Sequence, residues 1–187
     1  MINHSLIAQW TQTNGPDGGP VYAITSAGSN LLAGGDYGLF ISKDGGDTWS
    51  QVVTDITLNR INAFAMVDTF LFAGTWDKGV IRSRDNGETW IQTFLNNKIV
   101  RAFVSINTTL YAGTHSGVYR TNDFGIMWEE LNNGLTNLQV RAMAVIDTKL
   151  FAGTADGVFC SSDNGAHWSQ VNNGLTNKDI RDLKVSG

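Results

Sequence analysis

Ser161-Ser162-Asp163-Asn164-Gly165-Ala166-His167-Trp168 is the stretch whose reading decides the fold. It returns as Ser83-Arg84-Asp85-Asn86-Gly87-Glu88-Thr89-Trp90 and as Ser42-Lys43-Asp44-Gly45-Gly46-Asp47-Thr48-Trp49. A looser copy is Thr121-Asn122-Asp123-Phe124-Gly125-Ile126-Met127-Trp128. The shared pattern is Ser/Thr-x-Asp-x-Gly-x-x-Trp. Its chemistry is that of a braced turn. Asp44, Asp85, Asp123 and Asp163 can accept backbone N–H bonds inside the bend. Gly46, Gly87, Gly125 and Gly165 supply a positive φ at low strain. Trp49, Trp90, Trp128 and Trp168 offer large apolar area with one N–H to satisfy.

Two further anchors keep the same beat. Val21-Tyr22-Ala23, Ile61-Asn62-Ala63, Val100-Arg101-Ala102, Val140-Arg141-Ala142 and Ile180-Arg181-Asp182 recur about every 40 residues, a spacing typical of blade-like sheet repeats. Leu31-Leu32-Ala33-Gly34, Leu71-Phe72-Ala73-Gly74, Leu110-Tyr111-Ala112-Gly113 and Leu150-Phe151-Ala152-Gly153 follow in phase. Each repeat reads as four short strands: an apolar first strand such as Val140–Ile146, a second over 149–153, a third over 158–161, and a fourth from Trp168 to Val171. No segment keeps a 3.6-residue apolar period, so no helix is predicted. The repeats run 21–60, 61–99, 100–139 and 140–179. Residues 5–20 resemble a fourth strand, with Trp10-Thr11-Gln12 matching Trp168-Ser169-Gln170, and 180–187 resemble a first strand.

Such units suit a β-propeller, an all-β fold of four-stranded antiparallel blades around an axis. The reading is four full blades plus partial strands at both ends, as one domain over 1–187 or a fragment of a longer propeller. Blades buried on both faces account for apolar strands without clean alternation. Ala23, Ala63, Ala102 and Ala142 are expected where blades crowd together near the axis.

The pattern resembles the Asp-box (BNR) repeat family of β-propellers, over essentially residues 5–187. The third box departs from it at Thr121 and Met127, and the fourth at His167. The resemblance implies that the boxes, with Ser42, Ser83, Thr121 and Ser161 at their heads, are structural and lie away from any active site. Relatives in that family include sialidases, xyloglucan-cleaving hydrolases, sortilin-type receptors and a photosystem II assembly factor, so fold does not give function. They are often extracytoplasmic, which leans the expectation that way. Met1–Trp10 lacks the basic start and apolar run of a signal peptide.

Composition narrows the classes. The 187 residues carry a net charge of −4, which argues against nucleic-acid binding. No apolar run approaches the roughly 20 residues of a membrane span. Cys160 is the only cysteine, so no internal disulfide forms, and its place on a third strand predicts a core role. The Asp-containing turns lack the late acidic ligand of a calcium loop, so no metal and no cofactor is expected.

Candidate contact residues lie on the face shared by the fourth-to-first and second-to-third strand turns. Arg101, Arg141 and Arg181 hold the second position of the first strand, where Tyr22 and Asn62 stand earlier. They are expected near the channel mouth, either as an anion-binding cluster or as arginines paired with neighbours such as Asp182. Trp76 and His115 sit in the variable second-to-third turns, Trp76 either as a ligand platform or as cover for a neighbouring blade. A sialidase would need, besides arginines, a Tyr with a Glu partner. Glu88, Glu129 and Glu130 are the only glutamates and fall near the boxes. The favoured reading is a non-catalytic binding or scaffold module for a protein or carbohydrate ligand. The alternatives are a piece of a sialidase-like or xyloglucanase-like hydrolase, or a propeller of the assembly-factor type. Exposed blade edges imply self-association or further blades.

Overall fold

The computed structural model describes residues 14–16 and 18–185. It contains four antiparallel four-stranded sheets, each made of consecutive strands in sequence order, and no helix among the described residues. The first blade is β1 (Val21–Ala27), β2 (Asn30–Gly35), β3 (Gly38–Ser42) and β4 (Ser50–Gln51). The second is β5 (Ile61–Val67), β6 (Phe70–Thr75), β7 (Val80–Ser83) and β8 (Ile91–Gln92). The third is β9 (Val100–Ile106), β10 (Thr109–Thr114), β11 (Gly117–Thr121) and β12 (Glu129–Glu130). The fourth is β13 (Val140–Ile146), β14 (Lys149–Thr154), β15 (Gly157–Ser161) and β16 (Ser169–Gln170). The innermost strands β1, β5, β9 and β13 adjoin one another in that order.

Each first hairpin closes in two residues, with Ala27 opposite Asn30, Val67 opposite Phe70, Ile106 opposite Thr109 and Ile146 opposite Lys149. A two-residue turn that follows the strand twist needs a left-handed first residue. Gly28, Asp68, Asn107 and Asp147 supply it, at φ 58, 55, 54 and 56°.

The core lies between blades rather than at one centre. Leu32, Leu39 and Ile41 of the first blade pack with Leu71, Ala73, Ile81 and Trp90 of the second. The other two junctions repeat this arrangement. The closest approach falls at the glycine that ends each Leu-x-Ala-Gly segment. A Cβ on Gly34, Gly74, Gly113 or Gly153 would lie 2.6, 2.6, 2.7 or 2.5 Å from the side chain of Ile61, Val100, Val140 or Ile180. Of the alanines opposite these glycines only Ala142 is buried; Ala23, Ala63 and Ala102 are partly buried. The best-covered strands are the second and third of each blade, while β1 is largely exposed, β5 and β9 are largely half-buried, and β13 is mostly buried. Cys160 on β15 is half-buried rather than sealed in the core.

Residues 180–185 form no ladder. Ile180 nevertheless meets Gly153 as Ile61 meets Gly34, and its N–H donates to the Thr154 carbonyl at 3.0 Å. The segment occupies an inner-strand place without a paired second strand. The strand expected around Trp10 lies outside the described residues.

The boxes are braced turns. The Ser42 hydroxyl donates to Asp44 at 2.8 Å and accepts the Gly46 N–H at 2.8 Å. Asp44 also accepts the Thr48 N–H at 2.9 Å and the Thr48 hydroxyl at 2.5 Å. The second box repeats all four bonds. Met127 and His167 lack the Thr hydroxyl, yet their N–H groups still donate to Asp123 and Asp163, each at 2.9 Å. The departures remove one bond and keep the turn.

These bonds set an acid limit on the fold. The Thr48 hydroxyl and N–H and the Ser42 hydroxyl hold Asp44 at a pKa of about 2, against 3.8 ordinarily. At Asp85 burial pushes upward, but bonds from Thr89 and Ser83 outweigh it; Asp123 behaves alike, and Asp163 is lowered by the His167 N–H. Depressed carboxylates stabilise the fold fully above their unfolded pKa and lose that share as pH falls through the folded one. The melting temperature should therefore drop as pH is lowered from about 4 to about 2. The D44N variant should start lower at neutral pH and show a shallower drop. Parallel curves for the two proteins would mean that the box carboxylate is not the titrating brace.

Three of the four tryptophans wedge against the preceding blade, as members of the junction clusters. Their polar ends differ. Trp49 and Trp90 donate to their own box glycine carbonyls, at 3.1 and 2.9 Å. Trp168 reaches across to the Leu131 carbonyl of the third blade at 2.8 Å, while the buried Trp128 Nε1 has no partner.

Candidate functional site

Every inner strand carries a bulge near its start. Val21 and Ala23 pair with adjacent residues Gly35 and Gly34, so Tyr22 has no opposite number. The same skip leaves out Asn62 in β5, Arg101 in β9 and Arg141 in β13. A bulge re-aims the extra side chain without breaking the ladder beyond it. These four residues, with Arg181 at the equivalent place, line one cleft of about 450 Å³ together with Arg60 and His115. The bulges thus bring Arg101, Arg141 and Arg181 together with Tyr22 and Asn62.

Trp76 contacts two of the guanidiniums that line the cleft. Arg60 lies 5.0 Å from its ring centroid and Arg101 4.6 Å, while Arg60 also stacks on Tyr22 at 3.7 Å. His115 meets Trp76 edge-on at 6.2 Å. The result is a ladder of Tyr22, Arg60, Trp76 and Arg101. Both cations are held in place by aromatic faces, which suit the planar guanidinium.

Two carboxylates sit beside these cations. Asp36 accepts the Tyr22 hydroxyl at 3.1 Å and lies 3.8 Å from Arg60 Nε, too long for a hydrogen bond. Asp179 bonds both Arg141 and Arg181, the latter at 2.9 Å. Asp182, the partner expected for the arginines, instead lies 4.0 Å from Lys184. Among the described residues Arg101 has no carboxylate partner. Burial, then Arg60 and Arg141, push its pKa down. Burial, then Arg101 and Arg141, do the same to His115, which holds its uncharged form. The buried Nε atoms of Arg60 and Arg101 have no acceptor. Positive charge is therefore concentrated here in a chain whose net charge is −4.

The glutamates lie elsewhere and are engaged. Lys43 is 2.6 Å from Glu88, Arg120 is 2.8 Å from Glu129, and Tyr119 donates to Glu130 at 2.9 Å. Among the described residues no cluster of three or more His, Cys, Asp or Glu could hold a metal ion, and no helix is long and apolar enough to cross a membrane.

Sequence reasoning missed Arg60. It precedes the inner strand by one residue, at a position filled by Pro20, Ile99, Gln139 and Asp179 in the other repeats. Phase alignment gives no signal there. Only the stacking on Tyr22 and Trp76 brings it into the cleft.

Comparison with known proteins agrees with this architecture. The BNR/Asp-box repeat family matches residues 40–51, which contain the first box. No curated protein matches the chain. Among solved structures, the extracellular domain of BT4673 from B. thetaiotaomicron is similar at 15% identity and TM-score 0.79, covering 94% of this chain and 26% of that one. An ancestral GH74 enzyme is similar at 18% identity and TM-score 0.70, covering 87% and 25%. YCF48 bound to D1 peptide is similar at 17% identity and TM-score 0.65, covering 91% and 62%. The chain spans about a quarter of the length of the first two. With its braced Ser/Thr-x-Asp-x-Gly-x-x-Trp turns and phased four-stranded blades, the chain has a β-propeller fold, and its first box matches the BNR/Asp-box repeat.

Proposed function

We propose that the chain is a non-catalytic binding module whose arginine-lined channel mouth holds an anionic group of a protein ligand. The observation that carries this reading is the convergence of Arg60, Arg101, Arg141 and Arg181 on one cleft, with Arg101 lacking a carboxylate among the described residues. Four like charges on one cleft, three of them half-buried and Arg181 exposed, cost free energy unless an anion offsets them. The ladder fixes two of them beforehand, so a ligand meets donors already ordered. A protein ligand is favoured over a glycan because Trp76 already contacts two guanidiniums, which compete with a sugar ring for the indole. The hydrolase reading gains less support. The carboxylates beside the cleft, Asp36 and Asp179, are both engaged, and the glutamates are bound up elsewhere.

Titration with a hexaglutamate peptide, followed by Trp fluorescence, tests this reading. Binding is expected, with hexalysine inert. R101E should weaken it by about ten-fold or more, the scale of one lost charge-assisted hydrogen bond. Turnover of chromogenic glycosides, or unchanged hexaglutamate affinity in R101E, would reject the proposal.

A further inference from the structure

The charges of the cleft do not cancel. Arg60, Arg101, Arg141 and Arg181 bring four positive charges, and Asp36 and Asp179 bring two negative ones. With His115 uncharged, an excess of two positive charges is left among the described residues. A ligand group of one negative charge would leave the seat still unbalanced.

The directions of approach carry the same message. The cations come from separate elements: Arg60 from the segment before β5, Arg101 and Arg141 from bulges in β9 and β13, and Arg181 from the segment after the fourth blade. A carboxylate is planar and is matched by one guanidinium fork in its own plane. Donors arriving from around a ring match a tetrahedral group better, because its terminal oxygens point to several sides. A phosphate monoester has three such oxygens and carries about −1.5 to −2 charge at neutral pH. His115, on the same wall, adds a ring nitrogen that can donate to one of them.

Preorganisation limits the alternatives further. Arg60 and Arg101 both lie against the Trp76 ring, at 5.0 and 4.6 Å from its centroid, so the ligand does not have to order them. Arg141 and Arg181 share Asp179, which keeps that pair charged yet already partnered. One uncompensated charge therefore lies with Arg101, beside the Arg60–Asp36 pair, and a second with Arg141 and Arg181, which share one carboxylate. Asp36 stands 3.8 Å from Arg60 and leaves its Nε without a hydrogen bond.

We infer that the cleft is a seat for a compact tetrahedral dianion, a phosphate monoester on the ligand, held between Arg101 on one side and Arg141 and Arg181 on the other. The inference rests on the anion-binding reading above and adds the charge and shape of the group bound. A phosphorylated side chain of a protein and a phosphorylated sugar present the same chemistry, so the source is decided by experiment.

Phenyl phosphate and phenyl sulfate are the probes. They share shape and differ by one charge near pH 7.5, since the second phosphate pKa is about 6. Calorimetric titration of the wild-type chain should show phenyl phosphate binding at least about ten-fold more tightly than phenyl sulfate, the equivalent of about 1.4 kcal/mol. R101M should remove that preference, with its melting curve checked first. The wild-type ratio stands by itself should the variant fail to fold. Equal affinities for the two probes would overturn the dianion inference and leave the anion seat intact. Binding of hexaglutamate but of neither aryl probe would do the same. Failure of all three to bind would remove both readings. A phosphoserine peptide compared with glucose 6-phosphate then assigns the source, and the tighter of the two names it.

Discussion

Replacing Trp168 by alanine is expected to lower the unfolding free energy by about 3–5 kcal/mol. The ring is 1% exposed and packs with Tyr111, Leu131, Leu135 and Phe159 at the junction of the third and fourth blades. Its N–H also donates across that junction to the Leu131 carbonyl at 2.8 Å. Truncation leaves a ring-sized cavity and a carbonyl without its donor, two losses that add. Trp49, the same residue of the first box, is only partly buried and bonds within its own turn. W49A should cost about half as much or less, because less area leaves the core. Urea unfolding of the two variants measures both. Equal losses would show that the indole braces its own turn alone and contributes nothing across the junction.

Gly79→Ala is the second large effect, expected at roughly 3 kcal/mol or more. Gly79 has φ +76°, and a Cβ there would lie 1.9 Å from the Leu95 carbonyl oxygen. That oxygen accepts the Val80 N–H at 2.9 Å, so the clash falls on the bond that seats β7 against the segment leading to the next blade. Gly45 provides the control. Its φ is +75°, but a Cβ there meets nothing within 4 Å. G45A should cost only the backbone strain of about 1–2 kcal/mol. For a chain of this size each kcal/mol moves the melting temperature by about 2–4 °C, so the two variants separate clearly. A pair of equal shifts would mean that the turn opens to admit the methyl group, and that close approach is not what demands glycine at position 79.

Much of this architecture was legible because the repeat is in strict phase. The boxes, the Leu-x-Ala-Gly segments and the inner strands each gave an independent register, and the strand bounds followed to within a residue or so. What the alignment could not show was spacing between blades. It placed the alanines at the crowded positions, whereas the glycines opposite them make the closest approach. A letter pattern marks both as small and does not say which one faces a neighbour.

The cleft was partly legible for the same reason. Arg101, Arg141 and Arg181 share one phase, so their convergence could be expected from the sequence. That their position is a bulge could not, since a bulge is a fact of pairing between two strands. Arg60 was invisible because it precedes the phased segment by a single residue. Trp76 could be read either way until its ring was seen against Arg60, Arg101 and His115.

The skipped residue on each inner strand has an evolutionary consequence. Because it has no opposite number, it is free to mutate without disturbing its neighbours' pairing, and the occupants Tyr22, Asn62, Arg101 and Arg141 already differ. Foldability is written in the glycines and the turns, while selectivity is written one letter per repeat. Such a lineage can explore new binding tastes by drift at a handful of sites and leave its framework untouched.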